Sequence, residues 1–72
     1  MPLEWTQLGH TWEAKAAGGV WRIGPDQAPS FFQVTFWEEV SPNAFSCRGD
    51  YRKVFWTFEV ARSYCDATPV EL

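Results

Sequence analysis

The sequence has one histidine, two cysteines and one methionine, and no apolar run approaching the ~20 residues that cross a bilayer. These scarcities exclude several classes of function. His10, Cys47 and Cys65 show no paired spacing of the C-x-x-C or H-x-x-x-H kind, so no metal site is expected. No G-x-S-x-G elbow occurs, neither cysteine sits in a nucleophile motif, and a chain of 72 residues has little room for an enclosed pocket. Neither catalysis nor a cofactor is expected. Glu38 and Glu39, adjacent on a strand, point to opposite faces and would not chelate together. Met1-Pro2-Leu3-Glu4 carries no basic leader and no apolar run follows it, which points to the cytoplasm.

Basic residues are also few. Six Lys and Arg against nine Asp and Glu give a net charge of -3, the wrong sign for a generic nucleic-acid binder. That sign suits a protein partner with a basic surface. Neither direct nucleic-acid binding nor membrane attachment is expected.

Aromatic residues are abundant by contrast. Five Trp, six Phe and two Tyr let a short chain assemble a core from few positions, since each large ring buries a large area. Burial of the sheet-facing rings contributes about 1.5–3 kcal/mol apiece before conformational entropy is counted. The whole chain, residues 1–72, reads as one small domain.

Period-two alternation marks the strands. A short strand is expected over Leu3–Thr6, set off by Gly9. In Thr11–Ala16, Trp12, Ala14 and Ala16 share one face while Thr11, Glu13 and Lys15 share the other. Ala17, Gly18 and Gly19 offer a tight hairpin, and Val20–Ile23 returns as its partner. Gly24–Ser30, with two prolines, reads as a loop. Phe31–Glu38 is the most strongly patterned strand, with Phe32, Val34 and Phe36 on one face. Phe31 and Trp37 fall on the other face. Ser41, Pro42 and Asn43 break the pattern. Residues 44–50 are poorly determined, with a turn at Gly49–Asp50; Tyr51–Trp56 reads as either a short strand or a helix start, with a strand preferred for Lys53–Trp56.

A helix is expected from Phe58 to Asp66, with Thr57 as N-cap and Glu59 near the positive end of the dipole. Val60 stands where a capping box would place Glu or Gln. Phe58, Ala61 and Cys65 form one arc, flanked by Val60 and Tyr64. The expected architecture is α+β: an antiparallel sheet of three to four strands, packed on one side by a single C-terminal helix.

Candidate binding residues follow from the aromatic surplus. Trp37 with Glu38 and Glu39, together with Phe31 and with Asp26 in the preceding loop, forms an aromatic anchor rimmed by carboxylates. Arg48, Arg52 and Lys53, interleaved with Tyr51, Phe55 and Trp56, are either a single-stranded nucleic-acid platform or a salt-bridge set with Glu38, Glu39 or Asp50. Arg48-Gly49-Asp50 spells the integrin tripeptide, which a turn explains. The cysteines are either reduced, buried thiols or the source of an intermolecular disulfide through Cys65 or Cys47, which would make a homodimer. Pro69–Leu72 is either a frayed tail or a peptide for a partner's sheet edge.

Leu3-Glu4-Trp5, Gly9, Trp12–Lys15, Gly19–Ile23 and Val54–Arg62 together resemble short proteins encoded by phages and prophages. In those, a Trp-rich meander precedes a strand, a Ser/Thr cap and a helix; the missing Glu at Val60 departs from the pattern. In size, acidity and absence of catalytic motifs the chain is similar to the anti-CRISPR inhibitors. That resemblance implies binding to a CRISPR effector, such as a multisubunit type I complex, and obstruction of its basic DNA-contacting surface. A nucleic-acid-binding accessory protein and a phage structural or assembly protein are the alternatives.

Overall fold

A computed structural model describes residues 3–25 and 31–70. Five antiparallel strands form one sheet in sequence order: β1 (Thr6–Leu8), β2 (Thr11–Ala16), β3 (Gly19–Pro25), β4 (Phe32–Ser41) and β5 (Ala44–Phe55). One helix, α1 (Phe58–Ala67), follows and lies across β3, β4 and β5. The fold is α+β with a C-terminal helix, as the pattern implies, but the sheet has five strands and not three to four.

The first and last strands differ most from the expected ones. The first strand lies at Thr6–Leu8 rather than Leu3–Thr6, because its register to β2 is set by the turn at Gly9 and His10, where Gly9 takes a φ of 64°. Leu3 and Trp5 instead pack on the core, and the Leu3 amide donates to Asp66 Oδ1 at 3.1 Å. The fifth strand extends over Ala44–Phe55, so Gly49 and Asp50 are strand and not turn, although they lie in a shift of its register against β4. The expected loop also begins later, since Gly24 and Pro25 still pair with Gln33 and Phe32.

Connections are short where the sequence supplies turn chemistry. Ala17 and Gly18 link β2 to β3, with Gly18 at φ 84°. Pro42 and Asn43 link β4 to β5; proline presets its own φ and Asn43 takes the left-handed region at 64°. Gly19 is required for a different reason. A Cβ there would collide with the Trp37 carbonyl and lie 2.7 Å from Phe36 Cζ, so β3 and β4 close up only over a glycine.

The core lies between the sheet and α1. Trp21, Ile23, Val34, Phe36, Ala61 and Cys65 are fully buried. Rings carry much of the packing: Trp21 meets Phe36 at 5.0 Å, Tyr51 at 5.8 Å and Tyr64 at 5.9 Å, all edge-on. Phe58 at the start of α1 meets Trp12 at 4.7 Å and Trp5 at 6.3 Å. The Thr57 hydroxyl accepts the Val60 amide at 3.2 Å, a one-sided cap without the reciprocal Glu. Val60 is 52% exposed, so the buried arc of α1 is Ala61 and Cys65 flanked by Phe58 and Tyr64. Val70 also packs on the core, so the chain stays tied down beyond the helix.

Candidate functional site

Because α1 covers one face of the sheet, the other face meets solvent, and strand pairing defines its rows. Lys15, Val20, Trp37 and Cys47 lie opposite one another across β2 to β5. Thr6, Glu13, Arg22 and Thr35 make the next row. Glu39 stands opposite Phe45 on the far side of Trp37. Successive strand residues alternate between faces, so these side chains share the uncovered side.

Trp37 is fixed from two directions. Its indole N–H donates to Thr35 Oγ1 at 3.1 Å, and the Arg22 guanidinium carbon stands 5.7 Å from the ring centroid. Arg22 is held in turn by Glu13, to which its Nε donates at 3.0 Å. The ion pair is partly exposed at the surface and contributes little to stability, ~0–1 kcal/mol. Its effect is to hold the cation against the ring. Glu13, Val20, Arg22, Trp37 and Phe45 line an open groove of about 300 Å³. A second depression of about 440 Å³ toward β1 shares Glu13 and Val20 and includes Leu8. Phe45 and Leu8 are 46% and 54% exposed, so the face offers apolar area around an oriented tryptophan.

The sequence-expected site is divided by the fold. Trp37 and Glu39 lie on the uncovered face. Glu38 projects to the helix side, where Arg48 donates to its Oε1 at 2.8 Å. Phe31 stands at the opposite end of β4 and stacks on Trp56 at 4.4 Å, with Trp56 73% exposed. Asp26 lies outside the described residues. Arg22, Val20, Glu13 and Phe45 complete the groove and were not singled out by sequence. The alternation of residues 11–16 and 20–23 held the signal for three of them; Phe45 sits in the stretch whose pattern was unreadable.

The basic cluster divides as well. Arg48 bridges Glu38 and Asp50, donating to Asp50 at 2.8 and 3.1 Å across Gly49. The integrin-like tripeptide is therefore a strand segment closed on itself, not a turn. Arg48 stays charged far into the alkaline range through its bonds to Asp50 and Glu38, and the same bond to Arg48 holds the Asp50 carboxyl below its ordinary value. Arg52 faces Gln33 on the uncovered side, the amide oxygen turned to accept it. Tyr51 and Phe55 pack on the core, so they are not part of a surface stacking platform.

The two cysteines have opposite environments. Cys65 is buried under the sheet, where burial, aided by Asp66, pushes its thiol up to about 12. A thiol so placed is inert unless the domain opens. Cys47 is exposed on the uncovered face. Of the two positions, only Cys47 is open to an intermolecular bridge in the folded protein. His10 lies exposed in the first turn. Among the described residues no three His, Cys, Asp or Glu side chains are grouped to hold a metal ion, and no helix is long and apolar enough to cross a membrane.

No protein-family model, curated protein or solved structure matches the chain.

Proposed function

We propose that this domain is a non-catalytic, phage-type inhibitor that acts by stoichiometric protein binding through the uncovered sheet face. The observation that carries the reading is Trp37: a large ring on an exposed face, oriented by Thr35 and Arg22 and edged by Val20 and Phe45. An indole already held in place loses little side-chain entropy on docking, which is what an anchor residue requires. The net charge of -3 supports a partner with a basic surface. Of the two glutamates beside Trp37 in sequence, Glu39 shares its face, whereas Glu38 is neutralised by Arg48. The resemblance to anti-CRISPR inhibitors supports a CRISPR effector complex as the partner, acting in the bacterial cytoplasm. Obstruction of the effector's DNA-contacting surface is the mechanism that follows.

Capture of purified CRISPR effectors by the immobilised domain, followed by competition with target DNA, tests this reading. The expected result is saturable binding by one effector class with DNA displaced. Absence of binding to every effector would remove the CRISPR partner.

A further inference from the structure

We propose that the outer edge of β5 is a self-association surface, through which two copies pair antiparallel over Ala44–Arg48 about a two-fold axis at Ser46. The inference rests on the edge of the sheet and is independent of the partner's identity.

β5 is the last of five strands and twelve residues long, and among the described residues no strand lies along its outer side. Unpaired edges present rows of N–H and C=O groups and are ordinarily blunted by charge, proline or bulges. The second half of β5 has such protection. Asp50, Arg52 and Lys53 stand there, and the register breaks: between the pairs Val34–Lys53 and Phe36–Arg48, β4 advances two residues and β5 five. The first half has less. Ala44–Cys47 has no charge and no proline, and Phe45–Arg48 pairs regularly with Glu39–Phe36; the second register shift, between Glu39 and Ser41, carries its extra residue on β4 and not on the β5 edge. The other edge, β1, has only three residues.

The register follows from the side chains. About an axis at Ser46, Phe45 of one copy lies opposite Cys47 of the other on the uncovered face, and Ala44 lies opposite Arg48 on the helix face. Apolar groups meet, and no like charges oppose. An axis at Arg48 would set two guanidinium groups against each other. An axis at Cys47 would draw Gly49 from the broken segment into the pairing. With the axis at Ser46, the row Val20, Trp37, Cys47 continues into Phe45 of the second copy. The exposed apolar strip then crosses the axis instead of ending at the edge, and both helices stand on the same side of a ten-stranded sheet.

Sedimentation of the wild-type protein up to about 100 μM should show concentration-dependent dimer. Phe45→Lys should abolish the dimer, leave circular dichroism unchanged, and unfold thermally like wild type at concentrations where the wild type is monomeric. Ser46→Cys placed in Cys47→Ser should cross-link on mild oxidation, because residue 46 lies opposite itself at a spacing a disulfide can span; Cys65 is too buried to compete. A wild-type monomer throughout the range, a dimer that survives Phe45→Lys, or a dimer that Ser46→Cys fails to cross-link would each overturn the proposal.

Discussion

Arg22 stands over the indole of Trp37, its guanidinium carbon 5.7 Å from the ring centroid, on the face of the sheet that no helix covers. The pair belongs to two neighbouring strands and is steadied by Glu13 on a third. Trp37 is half-buried and stands outside the core between the sheet and α1. Trp37→Ala should therefore cost about 1–2 kcal/mol of unfolding free energy, well below the loss from truncating a core ring. A urea melt checks this; a larger loss would mean that Trp37 is structural.

Gly19 should be intolerant of any side chain. Gly19→Ala places a methyl group against the Trp37 carbonyl and the tip of Phe36, and backbone on the opposite strand has little freedom to retreat. A loss on the order of 2 kcal/mol or more is expected. Gly49, where a Cβ would meet nothing within 4 Å, is the internal control. Gly49→Ala should be near neutral in the same denaturation series, and equal costs at the two sites would contradict the packing argument.

Phe36 is fully buried, and its ring touches both Trp21 and Tyr51. Phe36→Ala should cost about 3–5 kcal/mol, a large share of the stability of so small a domain. Thr57→Ala, which removes only the helix cap, should cost about 1 kcal/mol. The ratio of the two measured by chemical denaturation tests whether the aromatic core or the local helix signal holds α1 in place.

The pattern of strands and the start of the helix were legible because each residue there serves one face or one cap. Trp12, Ala14, Phe32, Val34 and Phe36 alternate without interruption, and Thr57 precedes an amphipathic run. β5 was not legible, since its phase changes midway. Phe45 and Cys47 face the uncovered side, yet the register break turns Tyr51 and Phe55 toward the helix. No single period describes Ala44–Phe55, and Gly49–Asp50 then imitates a turn. The site was half legible for a related reason. Trp37 and Glu39 could be placed by alternation, but the partners that orient the indole come from β2 and β3, and cross-strand register is not visible in local sequence.

Stability should fall in alkali. Burial raises the Cys65 thiol to about 12, and burial foremost raises the Tyr64 phenol as well. For groups raised on folding, the unfolded chain ionises first. Their contribution is complete below the unfolded values and is lost as pH rises from about 9 toward about 12. The denaturation midpoint should decline across that range, and Cys65→Ala should flatten the slope whatever it does to absolute stability. An unchanged slope would refute the assignment. In acid the sign reverses: Asp50, lowered by Arg48, contributes above its unfolded value near 3.8 and ceases to as pH falls. Asp50→Asn should remove that small component.

The central claim is that the uncovered face around Trp37 is where the protein binds its partner. It is tested most directly by comparing Trp37→Ala with Trp56→Ala in calorimetric titration against a CRISPR effector captured by the wild-type domain. Both remove an indole that lies outside the core, half-buried at Trp37 and exposed at Trp56, but Trp56 stands with Phe31 at the other end of β4. The account predicts that Trp37→Ala weakens binding by ten-fold or more, about 1.4 kcal/mol, while Trp56→Ala binds like wild type. Undiminished binding by Trp37→Ala, or loss confined to Trp56→Ala, would contradict it.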